Sequence, residues 1–223
     1  MSTAAIADRP SGPDLMNRRK STRSRLERAA KRLLDLSGAI AALALSSPIL
    51  IVSAVLIKLE DGGPVFYRRR VVGQQGEFDA FKLRTMRTDA DRVLQENPEL
   101  RAEYEQAFKL KSDPRITKVG AVLRKYSLDE LPQLFNVLMG QMSLVGPRMI
   151  TTPELQKYGE RQHILRIVKP GLTGYWQVNG RQQTSYAERV TMDSYYIENW
   201  SLLLDLKILL ITPIKVLKGE GAY

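Results

Sequence analysis

The chain contains no cysteine and a single histidine among its 223 residues. Without cysteine it can form neither disulfide bonds nor thiolate metal sites. One imidazole, at His163, argues against a histidine-based transition-metal site, so we expect that side chain to be solvated or packed. These absences exclude disulfide-stabilised scaffolds and thiolate metalloproteins.

Charged side chains are absent from residues 36–57, a stretch of 22 residues. As one helix this stretch would be about 33 Å long, enough to cross the roughly 30 Å hydrocarbon core of a bilayer. Ser47 and Pro48 stand near its middle. Proline removes one main-chain donor and clashes with the preceding turn, while serine hydroxyls can bond the freed carbonyls. The sequence therefore predicts a break at Ser47 and Pro48 within a membrane segment.

Basic residues flank the apolar stretch on both sides, as they flank the cytoplasmic ends of membrane segments. Both ends are therefore expected in the cytoplasm, which favours a re-entrant membrane helix over residues 28–58 against a straight crossing. A buried core helix stays open, although the run is long and has no polar face. A cleaved signal fits less well, because the run begins beyond residue 30. The flanking residues are Arg18, Arg19, Lys20, Arg23, Arg25, Arg28, Lys31 and Arg32 upstream and Lys58, Arg68, Arg69, Arg70, Lys82 and Arg84 downstream.

The net charge is +10, which favours an anionic partner: nucleic acid, phospholipid head groups or phosphorylated substrates. Residues 1–32 hold nine basic and three acidic residues, so most of the excess precedes the apolar stretch. At that position the excess positive charge would be attracted to an anionic leaflet of the membrane. We expect a disordered basic tail over residues 1–27 and a catalytic domain over residues 59–223.

The remaining pattern predicts a mostly α (α+β) fold. Two short extended segments, on either side of a turn from Gly73 to Gly76, predict a β-hairpin that ends near residue 83. Residues 89–111 carry a helical apolar stripe that Pro98 divides. Residues 202–211 are strongly apolar and follow aromatic residues. Pro213 is expected to interrupt the helix that they form. This segment suits an amphipathic helix in the head-group layer, and a core-facing helix is the alternative.

The densest set of candidate functional groups lies between Arg124 and Arg148. Ser127 and Glu130 have capping-box spacing, which predicts Asp129 and Glu130 at the N-terminus of a helix that runs to residue 142. The helix dipole and nearby cations would favour both ionised carboxylates. Such a pair can bind Mg²⁺ or attack an electrophilic phosphorus. Plain helix capping is the alternative on spacing alone.

Long motifs around these residues resemble the bacterial sugar transferases, the monotopic phosphoglycosyl transferases. The resemblance covers nearly everything from residue 28 onward. The motifs are Ser-Leu-Asp-Glu-Leu-Pro-Gln-Leu-Phe-Asn-Val-Leu at 127–138, Met-Ser-Leu-Val-Gly-Pro-Arg at 142–148, Phe-Lys-Leu-Arg-Thr-Met at 81–86, Lys-Pro-Gly-Leu-Thr-Gly at 169–174, Trp-Gln-Val-Asn-Gly-Arg at 176–181 and Gly-Glu-Gly-Ala-Tyr at 219–223.

The resemblance implies an enzyme on the cytoplasmic face of the bacterial inner membrane, held there by a helix-break-helix anchor. The implied reaction moves a sugar 1-phosphate from a UDP-sugar to polyprenyl (undecaprenyl) phosphate and releases UMP. By analogy, Asp129 is the nucleophile that becomes a covalent aspartyl-phosphosugar, and Glu130 assists through Mg²⁺ or proton handling. The short tail resembles the minimal form used in exopolysaccharide or related glycan synthesis, and a hexose, galactose or glucose, is expected.

Several cations are expected to neutralise the phosphate charges together with Mg²⁺ held by Asp129 and Glu130. Arg124 and Arg148 are the first candidates for phosphate ligands. Lys82 and Arg84 are further candidates, with lipid head groups as their alternative partners. Gln177 and Arg181 are expected in the wall of the donor pocket.

Two other classes of protein stay open at this stage. One is a non-catalytic, membrane-associated binding module for anionic lipid or nucleic acid, motivated by the charge. The other is an ordinary glycosyltransferase that moves the sugar alone and liberates UDP. For the favoured interpretation, the expected partners are a nucleotide sugar, polyprenyl phosphate and inner-membrane lipids, with no nucleic acid, and a homodimer is compatible with the sequence.

Overall fold

A computed structural model describes residues 25–107, 110, 113–180 and 184–218. Residues 1–24 of the predicted basic tail therefore lie outside the described residues, as do Arg181 and the motif at 219–223. The described part is mostly helical, with two small sheets. Its elements are α1 (Arg25–Asp61), β1 (Phe66–Gly73), β2 (Gly76–Leu83), α2 (Ala90–Gln95), α3 (Pro98–Ala107), α4 (Lys118–Lys125), a 3-10 turn (Leu128–Glu130), α5 (Gln133–Leu138), β3 (Ser143–Val145), α6 (Thr152–Leu155), a 3-10 segment (Gln156–Arg161), α7 (Gln162–Leu165), β4 (Gly171–Thr173), α8 (Tyr175–Asn179), α9 (Tyr186–Glu198) and α10 (Leu202–Leu217).

The predicted β-hairpin is confirmed. Strands β1 and β2 pair antiparallel from Phe66 opposite Leu83 to Gly73 opposite Gly76. The buried side chain of Asn136 in α5 holds the hairpin in place. Its amide nitrogen donates to the carbonyl of Asp79 at 2.8 Å, and its amide oxygen accepts from the main-chain N–H of Phe81 at 3.0 Å. This contact fixes β2 beside α5, because the Asn136 amide forms hydrogen bonds with a backbone carbonyl and a backbone N–H of the strand.

A second, parallel sheet was not predicted. Strand β3 pairs with β4, with Ser143 opposite Gly171 and Val145 opposite Thr173. The backbones come very close here, since a Cβ added to Gly171 would lie 2.1 Å from the nitrogen of Gly146. Only glycine permits this approach. The loop that follows β3 carries Arg148, which forms an isolated bridge with Gly171, so the sheet positions this arginine.

Helix α1 runs for 37 residues and continues through Ser47 and Pro48. Pro48 has no N–H for the carbonyl of Ala44, and the Ser47 hydroxyl donates to that carbonyl instead, at 2.9 Å. The predicted role of the serine is confirmed. The helix itself is not divided at this point, because the hydroxyl supplies the lost bond. The re-entrant path stays a prediction.

One stripe of α1 is buried along nearly its whole length, and the remaining faces are exposed. The buried residues are Asp35, Ala39, Ser46, Ser53 and Ile57. Within the described residues, α1 is the one helix long and apolar enough to cross a membrane, and 17% of its most apolar window is buried. A core helix would be mostly buried, so this exposure argues against the core-helix alternative. Together with its exposed Leu and Ile side chains, α1 indicates membrane association.

Ion pairs hold both ends of α1 against the rest of the protein. Near the N-terminal end, Lys31 pairs with the fully buried Asp205 of α10 at 2.7 Å. Asp205 also accepts from the Tyr196 hydroxyl at 2.8 Å and the Trp200 indole nitrogen at 3.1 Å. At the C-terminal end, Arg84 pairs with Asp61. These two ion pairs fix the position of α1 relative to α10 and to the residue that follows β2.

Helix α10 has an exposed apolar face, as an interfacial helix requires. The predicted interruption at Pro213 is wrong, because the helix continues to Leu217. Proline removes only one helical hydrogen bond, and the packing of Ile208 and Leu209 on the core holds the turn that precedes it. The exposed residues are Leu203, Leu206, Leu210, Ile211, Ile214 and Leu217.

Candidate active site

The two carboxylates of Asp129 and Glu130 lie in a short 3-10 turn, not in a capped helix. The predicted capping box is wrong, because Ser127 makes no side-chain cap bond and adopts a left-handed conformation with φ of 53°. Left-handed backbone is strained for a residue other than glycine. It turns the chain between α4 and the 3-10 turn. Helix α5 then begins at Gln133 and ends at Leu138, earlier than the predicted residue 142.

Lys82 joins both carboxylates. Its ammonium group lies 2.9 Å from a carboxylate oxygen of Asp129 and 3.2 Å from one of Glu130. Burial alone would lower the pKa of Lys82, but the two carboxylates together raise it. Lys82 is therefore a charged partner of the pair, held in register by the contact between β2 and α5.

The two carboxyl groups titrate differently. Burial raises the pKa of Asp129, which is 4% exposed, and the charge of Glu130 raises it further, against the opposing effect of Lys82. Burial also acts to raise the pKa of Glu130, but Lys82 and Arg148 outweigh it, and the net shift is downward. The expectation that the site favours ionisation of both groups is thus wrong for Asp129, because desolvation exceeds the help of its cations.

Arg124 and Arg148 line the same cavity as the carboxylates, a space of about 1780 Å³. The Arg124 side chain donates from Nε to the Thr85 hydroxyl at 2.9 Å, and burial lowers its pKa. Arg148 is half-buried, and its charge acts on Glu130. The structure therefore brings together the two arginines that the sequence analysis placed first.

Arg84 also borders the cavity, but most of its donors are used elsewhere. Its guanidinium donates to both carboxylate oxygens of Asp61, to the carbonyl of Pro64 at 2.6 Å and to the carbonyl of Met86 at 2.9 Å. This arrangement gives Arg84 a structural role at the end of α1, and its role as a phosphate ligand stays a prediction. Gln177 lies in the cavity wall, as expected.

The sequence analysis missed a second group of residues in the cavity. Trp176 and Arg189 line the same space as the carboxylates, and Tyr186 lies beside them. Trp176 stands in the Trp-Gln-Val-Asn-Gly-Arg motif, which was the one available signal. Arg189 lies in an ordinary helix, α9, where nothing in the local pattern marks it as functional.

The donor set of the site fits Mg²⁺. Among the described residues, no group of three or more His, Cys, Asp or Glu side chains could hold a metal ion. Mg²⁺ is commonly held by one or two carboxylates together with substrate phosphates and water. Asp129 and Glu130 can supply that number of hard oxygen ligands, although both already contact Lys82.

The fold and cavity together define a membrane-associated domain that presents a carboxylate pair among cations, a site suited to phosphate chemistry. The sequence model of the family "Bacterial sugar transferase" matches residues 26–219. The chain belongs to this family, and it is an enzyme of this kind.

Curated relatives agree with this assignment. The chain is 46% identical over 199 residues to the "Exopolysaccharide production protein ExoY" of Rhizobium meliloti, covering 87% of this chain and 88% of the relative. It is 47% identical over 204 residues to the "Undecaprenyl-phosphate galactose phosphotransferase" of Salmonella typhimurium, covering 89% of this chain and 43% of the relative. The chain thus spans less than half the length of some relatives and most of the length of others.

Another relative carries a name that states its reaction. The chain is 41% identical over 203 residues to the "UDP-glucose:undecaprenyl-phosphate glucose-1-phosphate transferase" of Xanthomonas campestris pv. campestris. The match covers 87% of this chain and 40% of that relative. These names describe the relatives themselves.

Proposed function

We propose that this protein transfers a sugar 1-phosphate from a UDP-sugar to polyprenyl phosphate and releases UMP, as a membrane step of exopolysaccharide or related glycan synthesis. The observation that carries the proposal is the cluster of buried Asp129 with the partly buried Lys82 and Glu130, in a cavity with Arg124 and Arg148. Membership of the bacterial sugar transferase family supports it.

The reaction proceeds in two displacements at one phosphorus. A carboxylate oxygen of Asp129 attacks the β-phosphorus of the donor, the bond from that phosphorus to the bridging oxygen breaks, and UMP leaves with the electron pair. The sugar phosphate is then covalently bound to Asp129. An oxygen of polyprenyl phosphate attacks the same phosphorus, and the Asp129 carboxylate departs to give a polyprenyl diphosphate sugar.

The surrounding cations have separate tasks in this scheme. Lys82 offsets the desolvation of Asp129 and favours its ionised form, which is the form that attacks. Arg124 and Arg148 bind the non-bridging phosphate oxygens, for which their forked donors are suited. Bound to Asp129 and Glu130, Mg²⁺ would neutralise phosphate charge as a Lewis acid. Gln177 and Arg181 complete the proposed donor pocket.

The transferred group is proposed to be a hexose phosphate. Relatives are named for galactose and glucose 1-phosphate transfer, and these two sugars are the first donors to test. Nucleic acid is not expected as a ligand, and a homodimer stays a prediction.

The proposed location is the cytoplasmic face of the bacterial inner membrane, with α1 as a re-entrant anchor and α10 in the head-group layer. Support comes from the contacts of both ends of α1 with the same catalytic domain, through Lys31 and Asp61. A helix that crossed the bilayer would carry one end away from that domain. The exposed apolar faces of α1 and α10 supply the surface that would enter the lipid.

Single cysteines at Arg25 and Lys58 test this path, because the chain has no native cysteine to interfere. In intact cells, both thiols are expected to resist a membrane-impermeant maleimide and to react after the membrane is opened. A cysteine at Lys118, on the exposed surface of α4, is the matched control. Labelling of one position from outside would contradict the re-entrant path.

The nucleotide product tests the reaction. Purified protein, UDP-galactose or UDP-glucose, Mg²⁺ and polyprenyl phosphate are expected to yield UMP in amounts equal to the lipid-linked sugar diphosphate. Release of UDP would identify an ordinary glycosyltransferase. Salt-sensitive lipid binding without either nucleotide would point to the non-catalytic binding module.

A further inference from the structure

Two arginine side chains lie close to the indole of Trp176. The guanidinium carbon of Arg189 lies 4.7 Å from the ring centroid of Trp176, and that of Arg148 lies 5.3 Å from it. Arg189 also lies 4.7 Å from the ring centroid of Tyr186. Both arginines are therefore held in place by aromatic faces, which contact a guanidinium without using its hydrogen-bond donors.

Buried donors in this group have no partner among the described residues. These are Nε1 of Trp176 and Nε of Arg189. Trp176 is 7% exposed. A buried donor without an acceptor costs free energy, so such groups in native structures call for an explanation. Both residues line the cavity that contains the carboxylate pair. A ligand in this cavity can therefore supply the missing acceptors.

The neighbouring carboxyl groups form no ion pair with either arginine in the described part of the chain. The Glu154 carboxylate accepts from Thr151 and pairs with Arg69 at 3.2 Å. Burial raises the pKa of Asp193 to about 7, so this carboxyl is only partly charged near neutral pH. None of the ion pairs found in the described part of the chain includes Arg148 or Arg189.

The electrostatics point to an anionic ligand. Burial and the charge of Arg148 both lower the pKa of Arg189, because two cations beside the same indole repel each other at a desolvated site. This repulsion is relieved when an anion lies between them. A phosphate group matches guanidinium donors in geometry as well as charge.

We propose that Arg189 and Arg148 clamp a substrate phosphate, with the Trp176 indole N–H as a third donor. The assignment rests on the proposed function. Arg148 acts electrostatically on both Glu130 and Arg189 and lines the same cavity as both, so the new subsite adjoins the carboxylate pair. The α-phosphate of the UDP-sugar, next to the phosphorus that Asp129 attacks, is the phosphate that this position favours. The phosphate of the lipid acceptor is the other source of the same chemistry.

Binding of product and acceptor analogues to the full-length, detergent-solubilised protein tests the subsite without turnover. The probes are UMP and farnesyl phosphate, a short polyprenyl phosphate. We expect Arg189→Gln to weaken UMP binding about 10- to 100-fold, the loss expected for charge-assisted hydrogen bonds. Farnesyl phosphate should bind within about twofold of the parent. Arg166→Gln, at an exposed arginine outside the cavity, is the matched control.

The outcomes separate the sources of the phosphate. A loss confined to farnesyl phosphate would assign the clamp to the lipid acceptor and overturn the α-phosphate assignment. Unchanged binding of both probes would overturn the clamp. If Arg189→Gln unfolds, Trp176→Phe keeps the aromatic ring, removes only the indole donor and should still weaken UMP binding several-fold. Weaker UMP binding in a protein that never becomes covalently labelled would support the subsite while contradicting the covalent mechanism.

Discussion

Asp129→Asn is expected to abolish turnover, with a fall of at least about 10³-fold in the rate of UMP release. The asparagine amide is nearly the same size as the carboxyl group but is a poor nucleophile toward phosphorus. The substitution also removes the negative charge that pairs with Lys82, whose ammonium nitrogen lies 2.9 Å from an Asp129 carboxylate oxygen. Acid quenching after mixing with sugar-labelled UDP-sugar should leave label on the parent polypeptide and none on the variant.

The matched control for this variant is Asp79→Asn. Asp79 is a partly exposed carboxylate on β2 that pairs with Arg70 at 3.3 Å and does not itself line the cavity. It should retain both covalent labelling and turnover. Both variants should float with liposomes as the parent does, because neither alters α1 or α10. Appreciable UMP release by Asp129→Asn would remove Asp129 from the role of nucleophile, and a parent protein that is never labelled would contradict the covalent scheme.

Lys82→Met is expected to lower the rate at neutral pH about 10²- to 10³-fold and to move the pH–rate profile to higher pH. In the parent, the charge of Lys82 lowers the pKa of both Asp129 and Glu130. Removing this charge leaves the buried Asp129 beside Glu130, and the two carboxyl groups repel each other when both are charged, so the pKa of Asp129 rises further. A carboxylate nucleophile is active only when ionised, and the variant therefore requires a higher pH.

Rates of UMP release measured across the pH range, with saturating donor and acceptor, check this expectation. The ratio of variant to parent activity should increase as the pH rises. Lys82→Arg should retain part of the activity, because it keeps a positive charge near the pair. Lys118→Met, which removes an exposed lysine of α4, should match the parent profile. A reduced rate with no alkaline shift would show that Lys82 acts on substrate and not on Asp129.

Short-range features of this fold were predictable from the sequence. Extended segments around turn glycines predicted the hairpin, and the uncharged run predicted an apolar membrane segment, although with a break that the undivided helix α1 does not show. The local rules failed where tertiary contacts decided the outcome. Ser127 and Glu130 have capping-box spacing, yet Glu130 bonds Lys82 of another element. Pro213 does not end α10, because the packing of its neighbours keeps the helix together.

The candidate site was predictable in part for the same reason. Asp129 and Glu130 are adjacent in sequence and stand in a long family motif, so they could be identified without coordinates. The position of Lys82, more than 40 residues away, depends on the register of β2 and on the Asn136 side chain that fixes it to α5. Arg189 carries no local signal, because its environment is built by residues from α8 and the loop after β3.

The sequence by itself determined the family, the apolar anchor and the identity of the carboxylate pair, because each is encoded in contiguous residues with a characteristic composition or motif. Only the tertiary structure decided which cations pair with which carboxylates. It assigned Lys82 to the pair and Arg84 to Asp61, and it placed both Arg189 and Arg148 beside Trp176. Ion pairing and desolvation depend on distances between residues far apart in the chain, and those distances are set by packing.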